Sequence, residues 1–249
     1  MRGRAFALLA ALALAACRTP PPNVRALAAD DPRPAQRVAA LRELASQRHA
    51  LRASARAESS GPGGASFSSQ LLLVERPACL RVEVIGLLQQ RVLVMATDGV
   101  RYELYRAEGP QHEEGPVHPG VLAEVAGLPL TPEAAVSLLL AAPLAPDEPP
   151  LRAHEDDAGV LSVEWPDQTL AFDAAGRLVS LRFHPGERGE RDVLTAAWSD
   201  FRDTPAGAFP HRLELALPET GASLTLAYRS VELDPVLDPA LFRLGLGTR

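Results

Sequence analysis

Lysine is missing from this 249-residue chain; every one of its 25 basic side chains is arginine. Without a primary amine on any side chain there can be no Schiff base, no phosphate-loop lysine and no Ser-Lys dyad. Cysteine is almost missing too, with only Cys17 and Cys79 present. If Cys17 is consumed by modification, Cys79 has no partner in the chain, which excludes an internal disulfide. Cys79 opens an apolar stretch and reads as a small buried hydrophobe. No serine sits in a G-x-S-x-G elbow, and no glycine-rich phosphate loop follows a strand. The reading is of a protein that is not an enzyme and needs no cofactor.

The six histidines do not change that reading. His49 falls in the first helical stretch. His112, Glu113, Glu114 and His118 share the segment "PQHEEGPVHPG", read as a loop. Two imidazoles and two carboxylates have the chemistry of a transition-metal site, but the spacing fits no helical zinc pattern and a loop is a poor template. No metal is expected. His154-Glu155-Asp156-Asp157 reads as a charged surface run, and His184 and His211 each neighbour a proline at a strand end.

What is present begins at the N-terminus. Arg2 and Arg4 precede an unbroken apolar run, Ala5 to Ala16, which ends at Cys17. A basic head, a short apolar core and small residues at its end form a secretory signal peptide. The run is too short for a spanning helix, which needs about 20 apolar residues. Leu14-Ala15-Ala16-Cys17 resembles the lipobox of bacterial lipoproteins, which implies cleavage before Cys17 and acylation of Cys17 with fatty chains such as palmitate. Two or more chains hold stably where one is marginal. Arg18 follows, which resembles the class exported to the outer membrane. Residues 1–16 carry two arginines and no acid, so the remainder is two units more acidic than the net −6 of the whole. Such a domain has, taken as a whole, no electrostatic reason to bind nucleic acid or anionic headgroups, so its membrane hold is expected from the acyl chains.

Residues 17–33 are rich in Pro, Ala and charge and read as a lipidated N-terminus and flexible tether. Residues 34–249 read as one domain. From Pro34 to about Ala57 the pattern is helical, with Val38, Leu41, Leu44, Ala45 and Leu51 on one face. "SSGPGGA" is a loop. Four strands follow, "SFSSQLLLVER", "CLRVEVIG", "RVLVMAT" and "VRYELYRA", joined by links too short for parallel pairing. Thr131-Pro132 opens a second helix. Six more strands come after it: "GVLSVEW", "QTLAFD", "RLVSLRFH", "DVLTAAWSDF", "HRLELAL" and "SLTLAYRSVEL". The class is α+β, a large antiparallel sheet with helices on one side. Leu80, Val82 and Val84 point one way, Arg81 and Glu83 the other. In the third strand Val92 and Val94 share one side and Leu93 and Met95 the other, so both sides are apolar. Either a filled core or a cavity lined by one side satisfies that pattern.

Taken in order, the lipobox, the first helix, "SFSSQLLLVERPACLRVEVIGLLQQRVLVMATDGVRYELY", "GLPLTPEAAVSLLLAAPL" and "FPHRLELALPETGASLTLAYRSVEL" resemble the LolB-like outer-membrane lipoprotein receptors and their LolA-like relatives. The resemblance covers most of the chain that follows the expected cleavage before Cys17. It implies a half-open antiparallel β-barrel of about eleven strands, with helices covering the mouth. It implies a monomer on the periplasmic face of the outer membrane that takes acylated lipoproteins from a periplasmic LolA-like carrier, binds their acyl chains, and helps insert them in the outer membrane. Val82, Val84, Val92, Val94, Phe172 and Phe183 are the expected cavity residues. The family carries an exposed leucine on a link between two early strands; Leu88, with Leu87 beside it in "GLLQQ", takes that place as a membrane-insertion loop. The Pro and Gly that flank that leucine in the family are missing here. Both leucines could instead fold back on the core. The alternative function is a binding or scaffold lipoprotein of the same fold that serves envelope assembly without transferring lipoproteins.

Overall fold

Alternation of apolar and polar side chains from residue 50 onward builds one sheet. The computed structural model describes residues 23–86, 88–109, 112–184 and 193–245. The signal peptide, Cys17 and Leu87 lie outside the described residues. The chain runs β1 (Val24–Ala26), α1 (Arg33–Gln47), β2 (Ala50–Gly61), β3 (Gly64–Glu75), β4 (Cys79–Ile85), β5 (Arg91–Asp98), β6 (Arg101–Arg106) and β7 (His112–Pro116). It continues through α2 (Val121–Ala126), α3 (Pro132–Leu139), β8 (Arg152–Asp156), β9 (Leu161–Glu164), β10 (Gln168–Phe172) and β11 (Leu178–Phe183). β12 (Leu194–Thr204), β13 (Gly207–Leu217), β14 (Ala222–Leu233) and a 3-10 turn (Pro239–Phe242) complete it.

The fourteen strands among the described residues form one sheet in the order β1-β8-β9-β10-β11-β12-β13-β14-β2-β3-β4-β5-β6-β7. Every pairing is antiparallel. β14 pairs along β2 and so joins the late meander to the early one. The sheet does not close; β1 and β7 are its two edges. The expected count of about eleven strands is thus corrected to fourteen. β2 replaces the last turns expected of the first helix. Leu51, Ala53, Ala55 and Ala57 are buried while Arg52 and Arg56 are exposed, a period of two that alanine's helical propensity disguised. β7 and β8 occupy segments read as a loop and a charged run; both lie at or next to an edge, where charged side chains face water. β1 occupies part of the stretch read as tether, because Val24, Arg25 and Ala26 pair with β8.

α1 buries Val38, Leu41 and Ala45 of the expected stripe, together with Pro34; Leu44 is only half-buried. α3 starts where expected: Thr131 Oγ1 accepts from the Ala134 N–H at 3.2 Å, and Pro132 needs no partner for its nitrogen. The core lies between the inner face of the sheet and these helices, with Leu51, Leu72, Val74, Leu80, Leu104, Val136, Leu138, Leu213 and Leu226 all buried. A smaller cluster of Ala50, Leu237 and Phe242 sits on the outer face, where the 3-10 turn packs over β4 and β5. That cover explains the doubly apolar third strand. Leu93 and Met95 face inward, while Ala96 stays fully buried on the outer side.

Candidate functional site

Between the inner face and the two short helices lies a hollow of about 210 Å³. β3, β4 and β5 supply Leu72, Leu80, Val82, Val84, Leu93 and Met95 to its wall. β13 and β14 add Leu213, Leu215, Leu224 and Leu226, and α2 with the chain after it adds Leu122, Val125, Leu128 and Leu130. Gln70 is the polar exception. The register explains the convergence. Val82 stands opposite Leu72 and Met95, and Val84 opposite Gln70 and Leu93, so these side chains share one face. Leu213 and Leu226 are opposite each other in the same way, as are Leu215 and Leu224. A lining without charge favours an apolar guest and offers nothing to polarise a bond.

The two helices are held differently. The end of α3 exposes carbonyls that a helix cannot satisfy internally. Trp198 Nε1 donates to the Leu138 carbonyl at 3.2 Å, Arg48 Nη1 to the Leu140 carbonyl at 3.2 Å, and Arg76 Nη2 to the Ala142 carbonyl at 2.6 Å. Arg76 also reaches Ser137 Oγ at 3.2 Å and the Arg48 carbonyl at 2.9 Å. Burial pushes both guanidinium groups below their ordinary value; arginine stays charged at neutral pH all the same. α2 has no side-chain cap at its start and ends on Gly127 with φ +67. Its hold on the sheet is the burial of Val121 and Leu122. It is the weaker of the two covers.

The expected cavity residues divide. Val82 and Val84 line the hollow. Val94 points the other way, into a groove on the outer face beside Glu83 and Tyr105. Val92 stands at the β4–β5 register shift next to Gly86 and is not part of the lining. The structure thus reverses the expected inner and outer sides of this strand; an all-apolar strand gives no alternation to read. Phe172 is buried in the core between Leu161 and Leu178, and Phe183 packs at the core's margin; neither belongs to the hollow's lining. The leucines of β13, β14 and α2 were not singled out. The inward alternation of Leu213 and Leu215 was visible, but nothing in it reported that a void lies above them.

Leu88 does not fold back. It is 86% exposed at the β4–β5 turn, which is closed by Gly86 N–H to Gln90 carbonyl at 2.9 Å and Gln89 N–H to Gly86 carbonyl at 3.1 Å. Gln89 adopts φ 62, the left-handed region that lets the turn reverse. Val84 and Leu93, the pair of the hollow nearest that turn, stand opposite each other at its base. The exposed leucine therefore projects from the end of the strands that wall the hollow. The His112 cluster is dispersed: His112 lies 3.9 Å from Glu114 and His118 pairs with Glu124 at 3.5 Å. Among the described residues no three such ligands converge.

No family model matches the chain, and no curated protein matches it. Solved structures are similar in fold. A LolA superfamily protein from Nitrosomonas europaea superposes with a TM-score of 0.56 at 14% identity, over 83% of this chain and 97% of the other. A candidate outer membrane lipoprotein-sorting protein domain from Vibrio parahaemolyticus gives 0.51 at 13% identity, over 83% and 98%. A DUF1329 family protein from Desulfovibrio piger gives 0.56 at 10% identity, over 86% and 98%. The fold is LolA-like.

Proposed function

We propose that this LolA-like chain is a lipoprotein of the outer membrane, fixed by acylated Cys17 on the periplasmic face, which shelters acyl chains of other lipoproteins and helps insert them in that membrane. The observation that carries the reading is a charge-free hollow whose strands end at an exposed leucine. At about 30 Å³ for each water-sized group, 210 Å³ takes about seven methylenes. Burying them gains about 5–6 kcal/mol before ordering costs. A longer chain needs more room, and α2 is the cover able to yield it. No catalytic group or cofactor enters the mechanism. The chain works as a monomer, and its direction of transfer follows from affinity: tighter than a LolA-like carrier, looser than a bilayer.

β1 shortens the tether expected of residues 17–33. From Cys17 to Asn23 the extended chain reaches at most about 20 Å, so the domain stays close to the bilayer that holds the lipid. Leu88 then has a use. Exposed to water its side chain forfeits about 1.5–3 kcal/mol that insertion in lipid restores.

The test reconstitutes the acylated protein in liposomes and supplies a fluorescent palmitoylated peptide in a soluble carrier. The reading expects the label to reach the bilayer faster than with the Cys17→Ala protein, which should fractionate as soluble. Transfer no faster than with carrier alone contradicts it and favours the scaffold alternative.

A further inference from the structure

Acidic residues outnumber arginines in this chain, yet one stretch of the outer face reverses the balance. A groove of about 930 Å³ crosses the sheet on the side opposite the hollow. Its floor is Ser54, Leu71, Glu83, Val94 and Tyr105, which stand opposite one another on β2 to β6. One wall is the C-terminal segment at Leu244, whose N–H donates to Glu103 at 3.1 Å; the neighbouring Arg243 grips Asp98 at 2.6 Å. The other wall is the β4–β5 turn at Gln89.

Arg81, Arg91 and Arg229 line this groove, and Glu83 is its carboxylate. Arg81 and Arg91 each pair with Glu83 at 2.7 Å, so one guanidinium charge is left over from that trio. Arg229 sits at the β14 bulge, exposed, and forms no ion pair among the described residues. Arg56, whose facing residue Ser69 lines the groove, forms none either; its guanidinium lies 5.3 Å over the Phe67 ring. Glu58, beyond the rim, stands opposite Phe67. The apolar residues here are exposed: Leu71 at 46%, Phe67 at 54%, and Leu88 on the adjoining turn. Guanidinium forks suit phosphate oxygens, and aromatic and aliphatic tips beside them suit the acyl boundary.

We propose that this groove and its rim seat an anionic phospholipid surface, with Arg56 and Arg229 on headgroup phosphates and Phe67 and Leu88 entering the acyl boundary. The proposal deepens the membrane role given to Leu88 above and rests on it. It gives the domain an orientation, with the Val84–Leu93 end of the hollow set against the bilayer.

The test uses residues 17–249 carrying Cys17→Ala, so that neither an acyl anchor nor the apolar leader contributes, and co-sedimentation with vesicles of phosphatidylcholine alone or with added phosphatidylglycerol. Binding is expected to rise with phosphatidylglycerol and fall with salt. Replacing Arg56→Gln and Arg229→Gln together should weaken it about fivefold for each charge removed. Equal binding to both vesicles, an unaffected double variant, or displacement by inorganic phosphate at the same ionic strength overturns the proposal; the last would mean an isolated anion pocket. Fatty-acid uptake by the same samples checks folding and separates the two readings. Uptake without anionic preference sinks the seat and leaves the hollow's role intact, and anionic preference without uptake supports the seat while sinking that role.

Discussion

Replacing Ala135 by leucine should stabilise the protein and impair it at once. Ala135 lies on α3, is buried, and lines the hollow. At ~24 cal/mol for each Å³ of cavity, an empty 210 Å³ forgoes about 5 kcal/mol of packing. Leucine adds three carbon groups, about 90 Å³ by the measure used for methylenes, and so fills somewhat under half the space. The gain is about 2 kcal/mol, and leucine is nearly as good a helix former as alanine. For a chain of this size that raises Tm by about 4–8 °C. The same three groups exclude about three methylenes of a guest, at ~0.8 kcal/mol each, which weakens uptake about 50-fold. Thermal unfolding by circular dichroism and titration with a fluorescent fatty acid read the two effects. A lower Tm with unchanged uptake would refute the reasoning, since overpacking a filled core costs about 1–3 kcal/mol and leaves a binding site elsewhere untouched.

Leu88→Glu should leave fatty-acid uptake unchanged and slow release into liposomes; equal release by both proteins removes this side chain from the mechanism. Arg76→Met leaves the Ala142 and Arg48 carbonyls and Ser137 without their donor and should cost about 2–4 kcal/mol, read as a shift in the urea midpoint with unchanged slope. For Asp98, burial would raise the carboxyl. The Arg101 and Val100 N–H groups and Arg243 together outweigh burial and hold it below the ordinary 3.8. A depressed carboxylate contributes stability above its unfolded value, which is lost as pH falls through the folded one. Asp98→Asn should therefore lower stability at neutral pH and flatten the acid limb of the stability profile; parallel profiles would contradict this.

Ten strands were legible because their apolar residues recur at every second position between turn signals, as in "CLRVEV" and "HRLELAL". The four that were not each lack one of those cues. β2 uses alanine for its buried face, β7 and β8 carry charge at or near an edge, and β1 has three residues and exists through its partner β8. α2 is a six-residue helix, too short for a periodicity to declare itself. At the site, the shared face of Val82 and Val84 followed from alternation against Arg81 and Glu83. Val92 and Val94 did not, because the sidedness of β5 depends on the C-terminal segment that covers its outer face, a contact far away in sequence. Phe172 and Phe183 pack into the core or its margin instead, and the hollow persists where leucines and valines leave space.

The most direct test of the central claim uses Met95. The chain has two methionines, Met1 in the expected signal peptide and Met95 in the wall of the hollow. A 13C-methyl label on methionine in the processed protein therefore reports on the hollow alone. Titration with a triacylated peptide should move the Met95 resonance to a new position that saturates at one equivalent, while the same peptide without its acyl chains leaves it in place. A Met95 signal that stays fixed through the acylated titration would contradict the account.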